Sequence, residues 1–154
     1  MSAPVPEPAT APVVAGVDGS PASKDALSWA ANYARLAGVP LRVVSAWHWP
    51  VSLVGALPMP DNFDPMAEAH ETLETILADV LGADPGFPVT TQVVAGAAAA
   101  VLVEESHNAG LLVVGSRGHG GFTGLLLGSV SEHCARYAAC PVVVVRHRGA
   151  HEEV

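Results

Sequence analysis

Positive charge is scarce in this chain. Seven basic residues stand against 15 acidic ones among 154, a net charge of −8. A surface of that sign repels phosphate backbones, so no nucleic-acid partner is expected. Any phosphate bound here needs local backbone geometry rather than overall charge. Cysteine is as sparse: Cys134 and Cys140 are the whole complement. Two thiols make no disulfide framework, and their spacing matches no common zinc pattern. Long hydrophobic runs are missing too. The apolar runs Leu111 to Val114 and Val142 to Val145 have the length of strands, so no membrane span is expected. Met1 to Thr10 carries neither a basic residue nor a hydrophobic stretch, so no secretory signal is expected either. These absences together lead to the expectation of a cytoplasmic, reducing setting. The seven histidines are scattered without a metal-ligand spacing such as H-E-x-x-H, so no metal site built from protein alone is expected.

What is present suits one α/β domain. Half of the residues are hydrophobic, enough for a well-covered core, and the length fits one domain better than two. Residues 1–12, rich in Pro and Ala, read as a disordered or extended tail. The domain is expected over 13–147, and a C-terminal tail over 148–154. The apolar run Val13 to Val17 reads as a strand, followed by the turn Asp18-Gly19. Ser20 is placed to cap a helix with Pro21 at its first position. Apolar residues then recur at helical spacing until Gly38 and Pro40. The pattern continues with a strand over Leu41 to Trp47, an irregular connection over His48 to Asp64 and a helix over Pro65 to Leu81. A strand follows over Val89 to Val94, then a helix over Ala97 to Asn108, a strand over Leu111 to Val114, a helix over Gly128 to Ala138 and a last strand over Pro141 to Arg146. Strands alternating with helices predict a doubly wound, five-stranded parallel sheet, Rossmann-like in plan. In such sheets ligands sit beyond the carboxyl ends of the strands, where strand order reverses. The residues after the first and fourth strands are therefore the first place to look.

After the fourth strand the chain reads Gly115-Ser116-Arg117-Gly118-His119-Gly120-Gly121-Phe122-Thr123-Gly124, then Leu125 to Leu127 and Gly128-Ser129-Val130-Ser131. A buried strand thus enters a glycine-rich loop and then a helix. Glycines let backbone N–H groups converge on an anion, and a helix N-terminus adds partial positive charge. Ser129 and Ser131 offer hydroxyl donors in the first turn. No lysine lies in the loop, so it is not a Walker A motif. The dinucleotide fingerprint fails because Thr123 takes its last glycine position. Glycines alone would equally suit a mobile surface loop. The position at the binding edge of a parallel sheet favours function.

The spacing Gly115, two residues, Gly118, nine residues, Gly128-Ser129 resembles the ATP-binding signature of the universal stress protein family. The likeness runs from Val13 to Arg146. The opening Val-Ala-Gly-Val-Asp-Gly-Ser resembles that family's first strand and turn. The stretches from Ser129 to His133 and from Ala139 to Val145 resemble its closing helix and strand. The resemblance implies the adenine nucleotide alpha hydrolase-like version of the fold, with ATP, with or without Mg²⁺, as ligand. It implies that Gly115, Ser116, Arg117, Gly118, His119, Gly120 and Gly121 cradle phosphates, and that Gly128, Ser129 and Val130 close over them. Asp18 would sit near the ribose or a phosphate-bound magnesium. Gly16 and Ala46 would line the adenosine through their backbone. A homodimer formed by antiparallel pairing of the last strand, Val142 to Arg146, is implied as well. Two departures bear on the adenine end. Gly96-Ala97-Ala98-Ala99 lacks the acidic residue and proline often found there, and Ser45 stands where a histidine is common.

Several residues carry competing readings. Asp18 could be a turn-former, Arg117 could face solvent, and His119 could be merely exposed. His133 and Cys134 read as helix packing, and Cys140 as a small hydrophobe. The cluster Trp47-His48-Trp49 reads as core or lid packing, with stacking on a base as the weaker idea. For function, a nucleotide-binding regulatory protein with little or no hydrolysis is the leading reading. A slow ATPase or nucleotidyl-transfer enzyme using Asp18, and a member that prefers cyclic AMP, are the alternatives.

Overall fold

Four helices separate five strands in the computed structural model, which describes residues 11–48, 61–117 and 127–147. The elements are β1 (Val13–Gly16), α1 (Pro21–Ala37), β2 (Leu41–Trp47), α2 (Pro65–Leu81), β3 (Val89–Ala95), α3 (Ala98–Ser106), β4 (Leu111–Gly115), α4 (Ser129–Tyr137) and β5 (Val142–Val145). All strands pair in parallel, in the order β3-β2-β1-β4-β5. The single-domain, doubly wound parallel sheet expected from the sequence is the fold observed.

The strands are apolar at successive positions because helices cover both faces. Side chains alternate between faces along each strand. Val13 and Ala15 of β1, Leu41 and Val43 of β2, and Leu111 and Val113 of β4 pack with α1 and α2. Their neighbours Val14, Val44, Leu112 and Val114 pack with α3 and α4. Leu27, Leu41 and Leu112 are fully buried. Each contributes about 1.5–3 kcal/mol relative to exposure. β1 is central, and every residue in it is buried.

Local chemistry sets the helix starts. Ser20 Oγ accepts the Ser23 N–H at 3.3 Å, with Pro21 as the first helical residue. Asp64 Oδ1 accepts the Ala67 N–H at 3.1 Å ahead of α2. The capping expected at Ser20 and the bounds expected for α2 are those observed. Other ends differ. α3 stops at Ser106 rather than Asn108, because the backbone tightens there. His107, Asn108 and Ala109 donate to the carbonyls of Glu104, Glu105 and Ser106, three residues back. β3 runs one residue further than expected, to Ala95, where Gly96 N–H still reaches the Trp47 carbonyl at 2.8 Å. β1 ends at Gly16, although Val17 N–H keeps a sheet bond to the Val44 carbonyl at 3.0 Å. Pro12 is tied to the domain by the Gly110 N–H at 2.9 Å. Most of the expected N-terminal tail, the whole C-terminal tail and most of the connection after His48 lie outside the described residues.

Candidate functional site

β2 lies on one side of β1 and β4 on the other, so strand order reverses between β1 and β4. Connections leave the sheet there in opposite directions, and a crevice is left between them. A cavity of about 300 Å³ opens at this point. Two glycines make it possible. A Cβ on Gly115 would lie 2.7 Å from the carbonyl carbon of Ala22, in the first turn of α1. A Cβ on Gly16 would lie 2.6 Å from Leu102 Cδ1 of α3. Glycine at these strand ends lets α1 and α3 close onto the sheet.

The cavity has two unlike sides. One is apolar: Val44 and Ala46 from β2, Val114 from β4, and Ala98 and Leu102 from α3. The ladder between β1 and β2 ends with the Val17 N–H on the Val44 carbonyl, while Trp47 bonds toward β3. Backbone groups alternate sides along a strand. Those of Ala46, next after Val44 on the β1 side, therefore face the cavity beyond the point where β1 leaves. A donor and an acceptor are thus set into an otherwise apolar wall.

The other side is polar. It holds Asp18, Arg117 and the first turn of α4. Gly128 is the N-cap of α4, extended at φ −73 and ψ 168, and it has no side chain to cap the helix. The first intrahelical bond runs from Glu132 N–H to the Gly128 carbonyl at 3.0 Å. The N–H groups of Ser129, Val130 and Ser131 precede it and have no carbonyl four residues back within the helix to bond. These donors, and the positive end of the helix dipole, suit an anion. α1 and α2, by contrast, carry side-chain caps.

Ser116 ties the loop to the sheet. Its N–H donates to the Val145 carbonyl of β5 at 2.7 Å. Its carbonyl accepts the Gly128 N–H at 2.6 Å and the Ser131 hydroxyl at 3.0 Å. Residues 116 and 128, at the two ends of the glycine-rich stretch, are thereby held together. At the rim, Asp18 is exposed, and its Oδ1 accepts the Ser20 N–H at 2.8 Å. The Asp18 N–H donates to Ser23 Oγ at 3.3 Å. The turn-forming role weighed for Asp18 is therefore present, at a position that also lines the cavity.

Of the residues singled out from the sequence, Gly16, Asp18, Ala46, Gly115, Arg117, Gly128, Ser129, Val130 and Ser131 line the cavity. Ser116 is buried behind it, with its backbone engaged as above. Gly118, His119, Gly120 and Gly121 lie outside the described residues. Ser131 corrects an expectation: its hydroxyl is directed at the Ser116 and Gly128 carbonyls, each at 3.0 Å, rather than offered to a ligand. Ser45 lies on the opposite face of the sheet from Val44 and Ala46, so its departure from the family pattern does not touch this wall. Ala98 falls in the stretch that the resemblance sets at the adenine end, and Leu102, one turn further along α3, was missed.

The thiols lie elsewhere. Cys134 is fully buried between α4 and the sheet. Burial, with Cys140 adding a smaller push, raises its pKa to about 11. Burial also raises the Cys140 pKa, countered in part by a backbone hydrogen bond with Leu112. His133 packs its ring on Tyr137 at 4.7 Å between centroids. Trp47 is half-buried and His48 exposed, and neither lines the cavity; Trp49 lies outside the described residues. Among the described residues no three His, Cys, Asp or Glu side chains are grouped to hold a metal.

Fold and crevice together define a doubly wound α/β protein with an anion-suited helix start at its switch point. The chain belongs to the universal stress protein family, whose model matches residues 10–146. It is 43% identical to a universal stress protein of Mycobacterium tuberculosis over 142 residues, 92% of this chain and 48% of that one. The chain thus spans about half the length of the curated relatives it matches. A universal stress protein solved in complex with cAMP shares its architecture with a TM-score of 0.66 and 27% identity, covering 91% of this chain and 100% of the other. One from Archaeoglobus fulgidus in complex with dAMP has a TM-score of 0.62 at 25% identity, covering 88% and 97%. No described helix is long and apolar enough to cross a membrane.

Proposed function

We propose that this chain binds an adenine nucleotide, ATP with Mg²⁺, as a regulatory ligand, with little or no hydrolysis. The observation that carries the reading is the cavity between strands β1 and β4, with the uncapped α4 N-terminus on one side and an apolar wall broken by the Ala46 backbone on the other. Phosphates suit the first and a purine the second. The loop glycines Gly118, Gly120 and Gly121, with His119, complete the cradle by resemblance. Asp18 at the rim would take a magnesium ion brought by the phosphates, since one carboxylate plus phosphate oxygens is a common magnesium environment. Its chemistry there is charge neutralisation. Asp18 and Arg117 are the only ionisable side chains among the described lining residues, and Asp18 is the one candidate base. That supports binding over fast turnover.

A second reading, cyclic AMP or another adenosine monophosphate as ligand, is favoured by the relatives solved with cAMP and dAMP. One phosphate needs fewer donors, and the α4 turn alone could supply them. The protein acts, on this account, in the cytoplasm as a homodimer. β5 is one of the sheet's two edge strands, bonded to β4 alone among the described strands, with four half-buried valines. Such an edge favours pairing with a second copy.

Equilibrium dialysis against ATP–Mg²⁺, cyclic AMP, GTP and adenosine tests the ligand. Saturable binding of adenine nucleotides with slow turnover supports the reading, tighter binding of cyclic AMP selects the second, and a fast saturable ATPase sinks both. Light scattering that finds a monomer at micromolar concentration overturns the dimer.

A further inference from the structure

We infer that the Ser131 hydroxyl is a positioning group for the anion-binding turn: Ser131 lines the cavity, but its hydroxyl is directed at the two ends of the glycine-rich loop and helps to hold them in register. The inference rests on the nucleotide reading above and adds to it a residue outside the G-x2-G-x9-G-S pattern. Ser131 is 2% exposed. Its Oγ lies 3.0 Å from the Ser116 carbonyl and 3.0 Å from the Gly128 carbonyl. These are the residues where the chain leaves β4 and where it enters α4. A hydroxyl has one proton, shared here between two acceptors that lie twelve residues apart in sequence.

Neither carbonyl depends on that hydroxyl for satisfaction. The Ser116 carbonyl also accepts the Gly128 N–H, and the Gly128 carbonyl also accepts the Glu132 N–H. Removing the hydroxyl therefore strands no buried acceptor, and the cost to folding is small. What is lost is one of the two bonds that tie the Ser116 carbonyl to the start of α4, and with it the fixed angle of α4 relative to β4; the Gly128 N–H bond alone leaves a pivot. The free N–H groups of Ser129, Val130 and Ser131 depend on that angle to converge on one anion. Donors aimed in advance avoid the ordering cost of binding. A ligand part that touches only the apolar wall would not sense the change.

The test compares the wild-type chain with Ser131→Ala and Ser131→Thr for binding of AMP, ATP–Mg²⁺ and adenosine. Ser131→Ala is expected to weaken both phosphorylated ligands about tenfold, the effect of one hydrogen bond, with adenosine affinity unchanged. Ser131→Thr, which keeps the hydroxyl, is expected to stay closer to wild type than the alanine variant. Equal loss for adenosine and the nucleotides, or no loss at all, overturns the inference. Hydrogen exchange at the Gly128 amide of the ligand-free protein is expected to quicken at least about tenfold in Ser131→Ala. If the wild-type chain binds no nucleotide, the reading of the ligand fails. The positioning role of the Ser131 hydroxyl is then decided by that exchange rate alone, and an unchanged rate overturns it.

Discussion

Gly115 and Ala22 approach so closely that a single methyl group on Gly115 would sit 2.7 Å from the Ala22 carbonyl carbon. Backbone of α1 occupies the space, and backbone cannot rotate away. Gly115→Ala is therefore expected to lower stability by about 1–3 kcal/mol and the Tm by several degrees. The obstacle at Gly16 is different, since the contacting atom is the end of the Leu102 side chain at 2.6 Å. Truncating that side chain makes room. Leu102→Ala alone should cost about 2–5 kcal/mol. Combined with Gly16→Ala it should cost less than the sum of the two, as urea unfolding of the four proteins would show.

Ser129 is the first residue of α4, and the preceding Gly128 is extended at ψ 168. Proline is accepted at a first helical position and restricts its predecessor to that extended range. Ser129→Pro is expected to fold with an unchanged circular dichroism spectrum while deleting one backbone donor and the hydroxyl. Affinity for AMP should fall about tenfold or more, and affinity for adenosine should not.

The contrast shows what was legible in the sequence. Strand and helix order could be read because burial on both faces makes strands such as Leu111 to Val114 wholly apolar, while Ser20-Pro21 and Asp64-Pro65 announce helix starts. Gly115 and Gly128 were legible as site residues because they bracket the loop at the carboxyl edge of the sheet. Leu102 was not, because an apolar residue in an apolar helix carries no mark of the wall it faces. Ser131 was misread as a ligand donor, since only three-dimensional proximity reveals the Ser116 carbonyl 15 residues earlier as its partner.

Asp18 is expected to be read out by magnesium. Asp18→Ala removes the acceptor of the Ser20 N–H at 2.8 Å, at a cost of about 1 kcal/mol. If the carboxylate holds the ion, the magnesium dependence of ATP affinity should shrink in the variant, while binding of adenosine stays as it was. Calorimetric titration with and without Mg²⁺ measures both.

Cys134 gives the domain a dependence on alkaline pH. Burial holds its folded pKa at about 11, above the ordinary thiol value of 9.0. The unfolded chain loses that proton first, so the stabilisation is complete below about pH 9 and declines as pH rises toward 11. The loss should be about 2–3 kcal/mol and should shrink in Cys134→Ala, leaving the smaller contribution of the Cys140 thiol. Urea midpoints between pH 8 and 11 report it. Across the neutral range the thiol should resist alkylation in the folded protein.

Thermal unfolding with and without adenine nucleotides tests the central claim most directly. A ligand at about 100 times its Kd stabilises the native state by about 2.7 kcal/mol. In a domain of this size that raises the Tm by about 5–10 °C. The account predicts such a rise with ATP–Mg²⁺ or cyclic AMP, reduced in Ser129→Pro and much smaller with GTP. An unchanged Tm with every nucleotide would contradict it, and the cavity between β1 and β4 would then belong to another ligand.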